Sequence, residues 1–281
     1  MKLIVTGSGG AVSTPRPCCN CRVCREARQK GIPYARTGCS LYISDAKILI
    51  DTPEDIGSAL NYMDIDEIRY IFYSHTHPDH IMGIRLIEQL RMDWLGNSEG
   101  LKSKEPVYIL GLPRVIQGLC ELRIDRGAVV ENFRDCGLVE TIETRRFDKD
   151  DLSVELIPAN LSQNVTVFLI QQSNKKVIYA PCDVKPFPHN SQFQNADFLI
   201  IGDTIPDNIL KNGFVLRKEN PFRNILFLMD EIMELKEKYQ IQNVIITHLE
   251  EVWGKSFDEY RELEKSFDGI QFAYDGMEIT L

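Results

Sequence analysis

His75-Thr-His77-Pro-Asp79-His80-Ile-Met-Gly83 is the stretch that decides the fold, because it holds three of the five histidines of the chain. Imidazole nitrogens and carboxylate oxygens are the usual ligands of a borderline divalent ion. In an extended segment His75 and His77 point the same way, and Asp79 and His80 then turn toward the opposite side. The stretch therefore predicts four ligands for two adjacent ions. The alternative is a solvated polar loop whose histidines bind nothing.

Two further residues with side chains suited to metal binding follow predicted strands downstream of this stretch. Asp183 comes shortly after the strand predicted at Lys176–Ala180, and His248 comes directly after the strand predicted at Asn243–Thr247. Loops at strand ends are where rigid scaffolds commonly carry binding residues. We therefore expect Asp183 and His248 to complete the metal site.

Strand-like and helix-like segments are mixed in both halves of the chain. Alternating and β-branched runs predict strands such as Lys2–Thr6 and Arg69–Tyr73. Helical periodicity marks Pro53–Met63, Asp79–Met92 and Asn224–Tyr239. This mixture favours an α+β arrangement of two mixed sheets flanked by helices over a regularly alternating doubly wound sheet.

Composition places the chain among soluble globular proteins. Hydrophobic residues are 43% and charged residues 26% of the 281 residues, and we find no internal repeat. We expect a single domain spanning 1–281. The 32 Lys and Arg against 41 Asp and Glu give a net charge of −9, which argues against long nucleic acids as partners. The absence of a long apolar run or signal-like start predicts a cytoplasmic location without membrane contact.

Four cysteines are crowded into the segment Cys18-Cys19-Asn-Cys21-Arg-Val-Cys24. Thiolates are strong zinc ligands, and closely spaced ones need little ordering of the chain. We therefore expect a structural zinc loop at about residues 15–26. A disulfide pair or simple buried thiols are the alternatives, and a reducing compartment disfavours the disulfide.

The histidine stretch resembles the signature of the metallo-β-lactamase superfamily, H-x-H-x-D-H followed after two residues by Gly. The order of the other segments is also similar to that family and extends the resemblance over nearly the whole chain. These segments are Gly7-Ser-Gly, Ile48-Leu-Ile-Asp51-Thr, Tyr179-Ala-Pro-Cys-Asp183 and Thr247-His248-Leu249. The resemblance implies an αββα sandwich with a binuclear metal site at one edge.

Residue by residue, the resemblance implies a ligand set for two zinc or manganese ions, of which one or both are bound. It assigns His75 and His77 to the first ion, Asp79, His80 and His248 to the second, and Asp183 as the bridging carboxylate. The nucleophile it implies is a metal-bound hydroxide, formed because a bound ion lowers the pKa of water. Asp79 also has a catalytic role as the residue that orients this water.

One feature of the family is missing from this sequence. The third ligand of the first ion is usually a His in a segment resembling Ile157-Pro-Ala-Asn-Leu161-Ser, and here Leu161 occupies that position. Leu cannot bind a metal, so we expect the first site to be weaker than the second, or empty. The Asn160 amide, an extra water or His189 are conceivable substitutes.

The cysteine segment resembles a particular subgroup of the family. Cys19-x-Cys21-x-x-Cys24 is similar to the zinc loop of the phosphonate-pathway cyclic phosphodiesterases, and a related loop occurs in the pyrroloquinoline-quinone biosynthesis B group. In the phosphodiesterases the fourth ligand is a His three residues after the last active-site His. That position is Glu251 here, so either Glu251 or Cys18 is the expected fourth zinc ligand.

The subgroup also has a catalytic His upstream of the final metal ligand, which this sequence lacks between His189 and His248. Arg217 and Arg223 in that region are candidate cations for a phosphate group. We expect a metal-dependent hydrolase of a small phosphodiester or cyclic nucleotide-like ester, acting on a small anionic substrate. The alternative is a non-catalytic or weakened metal or ligand binder, and a diiron oxidoreductase ranks third. A homodimer remains open.

Overall fold

The computed structural model describes residues 1–101, 105–125 and 127–281 of the chain. Across these ranges no helix has the length and apolar character that crossing a bilayer requires. The strands are β1 (Lys2–Gly7), β2 (Ser40–Ile43), β3 (Ile48–Ile50), β4 (Tyr70–Phe72), β5 (Val107–Gly111), β6 (Arg123–Ile124), β7 (Gly127–Ala128), β8 (Val139–Glu143), β9 (Arg146–Lys149), β10 (Leu152–Pro158), β11 (Thr166–Gln172), β12 (Lys175–Ala180), β13 (Phe198–Ile201), β14 (Thr204–Ile205), β15 (Phe227–Leu228), β16 (Asn243–Ile246), β17 (Ile270–Phe272) and β18 (Met277–Thr280).

Two large sheets organise the described residues, and each contains seven strands. The first sheet has the order β18-β1-β2-β3-β4-β5-β8, antiparallel from β18 to β3 and parallel from β3 to β8. The second has the order β17-β16-β13-β12-β11-β10-β9, parallel from β17 to β12 and antiparallel from β12 to β9. Both sheets are therefore mixed.

The helices connect strands on the outer faces of the two sheets. They are α1 (Arg22–Lys30), α2 (Ile56–Tyr62), α3 (Pro78–Ile81), α4 (Leu86–Arg91), α5 (Trp94–Ser98), α6 (Pro113–Glu121), α7 (Val129–Asp135), α8 (Met229–Lys238) and α9 (Phe257–Glu264). Local sequence explains several of the starts. Pro113 opens α6 at a position where the missing N–H costs nothing, and Ser256 with Glu259 forms a capping box at α9.

The main hydrophobic core lies between the two sheets. It joins Leu41 and Phe72 of the first sheet to Phe168 and Tyr179 of the second, and all four are almost completely buried. The rings of Phe72 and Phe168 pack edge to face with centroids 6.2 Å apart. A second core packs α8 and α9 against the outer face of the second sheet. Helix, sheet, sheet and helix form successive layers, which confirms the predicted αββα sandwich.

The helix predicted over Asp79–Met92 is broken into three pieces. α3 is followed by a 3₁₀ turn at Met82–Arg85 and then by α4. The break places Gly83 against another segment, because a Cβ at Gly83 would lie 2.0 Å from the backbone oxygen of Pro53. The Gly83 N–H donates to the carbonyl of Thr52 in the same contact. This long-range contact fixes the end of the histidine stretch.

The cysteine segment also differs from the predicted loop. Cys21 caps the N-terminus of α1, and Cys24 lies in the first turn of this helix with its N–H directed at the Cys21 sulfur. The second half of the segment at 15–26 is therefore helical. The helix holds Cys21 and Cys24 on one side, at the spacing of one turn.

Candidate metal centre

The candidate centre lies where strands of both sheets end. Asp51 and His75 follow β3 and β4 of the first sheet. Asp183, Asp203 and His248 follow the parallel strands β12, β13 and β16 of the second. Because parallel strands bring their carboxyl ends to one edge, residues distant in sequence converge there.

The centre contains several residues in an uncommon backbone conformation. Asp51, Asp183, Asp203 and His248 have φ values of 66°, 55°, 50° and 53°, in the left-handed region. Asp and His visit this region more readily than most side chains, although it still costs free energy. The turn after each strand thereby directs a ligand-type side chain toward the same point.

Asp79, His80 and His248 form the tightest group of ligand-type atoms. The Nε2 atoms of His80 and His248 are 3.3 Å apart. Asp79 Oδ2 lies 3.3 Å from His248 Nε2 and 3.4 Å from His80 Nε2. Two ligands that lie about 2.0–2.1 Å from a tetrahedral ion stand roughly 3.3–3.4 Å apart. The spacing of the three atoms therefore fits a divalent ion such as zinc.

The predicted ligands of the first ion form another group, which we call the first group; it adjoins the Asp79, His80 and His248 group, the second group, on its more open side. One ligand atom each from His75, His77, Cys182 and Asp183 lies within 4.8 Å of the others. His75 is buried, and its Nε2 has no hydrogen-bond partner among the described residues. An unpartnered buried nitrogen of this kind fits a metal ligand, because a bound ion would satisfy it.

The six predicted metal ligands are thus divided between two adjoining groups. His77 Nδ1 is 3.5 Å from Asp183 Oδ2, and both side chains are about half exposed. Asp183 lies with His75 and His77, whereas Cys182 belongs to this group and also lies within 4.8 Å of ligand atoms of His80 and His248. Cys182 was missed by the sequence reasoning, although it directly precedes Asp183.

Asp51 orients residues of the centre through hydrogen bonds to Ser74 and His80. Its buried carboxylate accepts hydrogen bonds from the N–H and hydroxyl of Ser74, at 2.7 and 2.6 Å. It also lies 2.8 Å from Nδ1 of His80. A carboxylate on Nδ1 fixes the tautomer in which Nε2 is free to bind an ion. This is the usual outer support of a metal-bound histidine.

Asp203 is a buried acid of the centre that the sequence reasoning missed. It accepts a hydrogen bond from the backbone N–H of Asp183 and lies 3.5 Å from Nδ1 of His248. Glu250 Oε1 is 3.7 Å from the same nitrogen. Asp203 follows β13 as His248 follows β16, so the rule that found His248 would also have found Asp203.

Carboxylates are the main charged groups around the histidines of the centre. Burial disfavours the charged form of His248, but the hydrogen bond to Asp79 and the carboxylates of Asp203 and Glu250 raise the pKa of His248 to about 9. Burial also acts against Asp79, yet His248 and His80 hold the pKa of the Asp79 carboxyl well below its usual range. A cluster of carboxylates that stabilises nearby positive charge suits a bound cation.

The turn after β10 carries Leu161, at the position where the resemblance places the missing third ligand of the first group. The Leu161 side chain is fully exposed, on a turn after β10. Asn160 Oδ1 accepts a hydrogen bond from the Ser162 hydroxyl at 2.8 Å, and His189 is exposed. Neither Asn160 nor His189 belongs to a close ligand group within the described residues.

The cysteine cluster is assembled as a separate group of four ligand atoms, from Cys19, Cys21, Cys24 and Glu251. Glu251 Oε1 lies 3.1 Å from the sulfur of Cys24, 3.4 Å from that of Cys21 and 3.7 Å from that of Cys19. Cys18 is exposed and stands outside the group. Of the two predicted fourth ligands, the fold brings Glu251 to the cluster.

Lys211 is an additional side chain at the cysteine cluster, and no sequence pattern predicted its position there. Its ammonium forms an ion pair with Glu251 and lies 3.4 Å from the sulfur of Cys19. Burial disfavours the Glu251 carboxylate, but the Lys211 ammonium holds the pKa of Glu251 below its ordinary value. The ammonium offsets part of the negative charge that three thiolates and a carboxylate would carry.

The two predicted phosphate-binding arginines lie in the segment between β14 and β15. Arg223 is occupied by its own loop, because its guanidinium donates to the backbone carbonyls of Leu216 and Arg217 at 2.8 and 3.0 Å. Arg217 is exposed and lines a cavity of about 560 Å³ with Phe214 and Asn220.

A larger cavity of about 820 Å³ lies between helix α6 and the turn that carries Leu161. It is lined by Arg114 and Gln117 of α6 and by the turn that carries Leu161. Helix α6 packs on the histidine stretch itself, because a Cβ at Gly118 would lie 2.9 Å from the Thr76 side chain. The cavity therefore offers an exposed cation, Arg114, near the first ligand group.

Comparison with known proteins gives one partial match in sequence. The chain is 36% identical over 86 residues to the octanoyltransferase of Porphyromonas gingivalis. This match covers 30% of the chain and 17% of that protein. Because the chain spans so little of that relative, the octanoyl transfer in its name describes that protein alone.

Comparison with solved structures gives matches over the full length. The zinc-bound PqqB of Methylobacterium extorquens has a TM-score of 0.71 at 20% identity, with 100% of both chains covered. A diphosphatase of the PhnP family has a TM-score of 0.70 at 19% identity, with 99% of this chain and 96% of that chain covered. At these identities the likeness is one of fold.

A family model provides the assignment. The model described as "Beta-lactamase superfamily domain" matches residues 46–249, a range that includes the histidine stretch and every ligand of both groups. The match covers more than half of the chain and agrees with the folds of the similar structures. The chain therefore belongs to the metallo-β-lactamase superfamily.

Proposed function

We propose that this protein is a metal-dependent hydrolase that cleaves a small phosphodiester or cyclic nucleotide-like ester. The observation that carries the proposal is the spacing of Asp79 Oδ2, His80 Nε2 and His248 Nε2, each 3.3–3.4 Å from the other two. A divalent ion bound there would polarise a substrate oxygen and make water acidic enough to attack near neutral pH.

The residues of the chain have separate tasks in this proposal. His80 and His248 would hold an ion through Nε2, and Asp51 keeps His80 in the required tautomer. Asp79 would be a further ligand of this ion and would orient an attacking water. His75, His77 and Asp183 are the remaining ligand set, on the side open to solvent.

The phosphodiester class is supported by charge and by shape. The net charge of −9 disfavours long nucleic acids, so a small anion is the better substrate. The cavity between α6 and the turn that carries Leu161 has a volume of about 820 Å³ and is lined by Arg114 together with Glu143. This volume lies in the range of small-molecule sites. One similar structure is described as a diphosphatase of the PhnP family, so the fold also supports hydrolysis at phosphorus in that protein.

His80→Ala tests the proposal. We expect the variant to lose the ion at Asp79 and His248, and turnover of a cyclic or model phosphodiester to fall at least about 100-fold, because the ion supplies several kcal/mol. Elemental analysis and a diesterase assay measure the two effects. The matched control is His189→Ala, which removes an exposed histidine outside both groups. Unchanged turnover in His80→Ala would contradict the proposal.

The exposed Leu161 favours a second candidate, a weakened or non-catalytic metal binder on the same fold. Leu161→His distinguishes the two. If the variant binds more metal and is more active, the natural chain is a hydrolase with a weakened first site. Metal uptake without any gain in activity supports the binder. Leu95→His, at another exposed leucine, is the control for metal bound non-specifically by a surface histidine.

A further inference from the structure

Cys182 is the described residue that belongs to both close ligand groups of the centre. Its sulfur lies within 4.8 Å of ligand atoms of His80 and His248 in one group, and of His75, His77 and Asp183 in the other. We propose that the Cys182 thiolate is a metal ligand and that it supplies the donor missing from the first group. This inference rests on the proposed function, because it concerns the same centre.

The first group needs one more donor. His75, His77 and Asp183 provide three, and the expected third histidine is replaced by Leu161, whose side chain is in solvent. With Cys182 the group has four donor atoms within 4.8 Å of one another, which is the number that a tetrahedral zinc requires. The orphaned Nε2 of His75 is the independent sign that an ion is bound on this side.

The surroundings of Cys182 differ from those of an ordinary buried thiol. Cys182 is 5% exposed and is surrounded by the imidazoles of the two groups. Burial, and after it the carboxylates of Asp203, Asp183 and Asp79, raise the pKa of the Cys182 thiol well above its ordinary value. Among the described residues its sulfur forms no hydrogen bond, although the groups around it are polar. A thiolate is stabilised among carboxylates when it binds a cation.

Cys39 provides the contrast within the same chain. It is buried nearby, but its sulfur lies 3.5 Å from the Tyr179 hydroxyl and 3.7 Å from the Thr247 hydroxyl. It belongs to no close ligand group of the described residues. Cys39→Ser therefore makes the same chemical change at a buried cysteine near the centre and leaves every proposed ligand in place.

A thiolate ligand also has a consequence for the choice of metal. Sulfur donors favour zinc, whereas oxygen and nitrogen donors alone suit manganese as well. The proposal therefore predicts that the first ion is zinc in preference to manganese. Replacing the sulfur by a carboxylate, as in Cys182→Asp, should shift this preference toward manganese.

The test is ¹¹³Cd NMR of the full-length protein loaded with ¹¹³Cd²⁺, since sulfur ligands shift the cadmium resonance strongly downfield. The resonances lost in His75→Ala and His80→Ala identify the active-site ions. We expect Cys182→Ser to move an active-site resonance upfield and to leave the resonance of the Cys19, Cys21 and Cys24 site in place. Cys39→Ser should change neither.

Competition with a chelator gives a second readout. Loss of an outer partner of a metal ligand costs about 10–100-fold in affinity, so loss of Cys182 itself should cost at least as much at the first site. Cys39→Ser should retain the wild-type affinity. Cys182→Asp should raise the ratio of bound manganese to bound zinc under mixed loading.

The outcomes separate this inference from the proposed function. If active-site resonances are present and Cys182→Ser leaves them unshifted, Cys182 is not a ligand and the hydrolase proposal stands. If the wild type gives no active-site resonance, the proposed function fails, and the inference fails with it. Should Cys182→Ser not fold, the wild-type spectrum still decides, because active-site resonances in the range of pure nitrogen and oxygen ligation overturn the inference.

Discussion

Asp51 controls the geometry of His80 without belonging to either close ligand group. Its two oxygens accept from the Ser74 N–H, the Ser74 hydroxyl and the ring of His80, at 2.6–2.8 Å. These contacts join the end of β3 to the end of β4 and orient one imidazole. A residue that fixes a ligand's tautomer is as necessary as the ligand.

Asp51→Asn should therefore weaken metal binding. The amide offers one acceptor to three donors and directs an NH₂ group at one of them, so the His80 ring is no longer held in one orientation. We expect the affinity of the Asp79, His80 and His248 site to fall by about 10–100-fold. Chelator competition measures this. Asp66→Asn, at an exposed acid, should leave the affinity unchanged, and an unchanged Asp51→Asn would show that Asp51 has no supporting role.

At the scale of elements, the strand ends and the close approach of segments decide where the ligands lie. Gly202 follows β13, and a Cβ there would lie 1.7 Å from the backbone oxygen of Pro181. Gly83 makes a similarly close approach to Pro53, in the segment that follows β3 of the first sheet. Both glycines let the backbones beside the centre approach more closely than any side chain allows.

Gly83→Ala should destabilise the fold. The new methyl group would meet the Pro53 carbonyl, and the shift that relieves this contact disturbs the turn after His80. We expect a loss of about 1–3 kcal/mol or more in the free energy of unfolding, measured by urea denaturation. Gly57→Ala is the matched control, since its Cβ would have only an ordinary contact in α2. It should stabilise by about 0.5–1 kcal/mol, and equal effects in the two variants would contradict the argument.

The elements also show what the sequence can and cannot predict. The strands predicted at Lys2–Thr6, Arg69–Tyr73, Lys176–Ala180 and Asn243–Thr247 lie within one residue of their observed bounds, because hydrophobic patterns of strands are local signals. The break in the helix predicted at Asp79–Met92 depends on the contact between Gly83 and Pro53, which local periodicity cannot reveal. The histidine and aspartate ligands of both groups were predicted from motif and resemblance. Cys182 and Lys211 were not, because their roles arise only when distant segments meet.

At the scale of the whole molecule, the first and last strands pair at one edge of the first sheet. β1 pairs with β18 over Lys2 to Val5, and Asp275 precedes this last strand. The buried Asp275 carboxylate accepts hydrogen bonds from the N–H and hydroxyl groups of Ser8 and Thr37, at 2.7–2.9 Å. One carboxylate thus joins three segments that are distant in sequence.

Asp275→Ala should lower global stability by at least about 2 kcal/mol, because it leaves buried donors of Ser8 and Thr37 without an acceptor. Chemical denaturation followed by circular dichroism measures the change. Glu278→Ala removes an exposed acid of β18 that pairs with Lys2, and it should change the stability by no more than about 0.5 kcal/mol. A loss confined to the Glu278 variant would contradict this account of the closure.

Anomalous diffraction at the zinc edge, from crystals of the zinc-loaded protein, tests the central claim most directly. The account predicts a peak about 2.0–2.1 Å from Asp79 Oδ2, His80 Nε2 and His248 Nε2 together, in addition to one at the cysteine cluster. A map in which zinc occupies the cysteine cluster while no peak lies among these three side chains would contradict it.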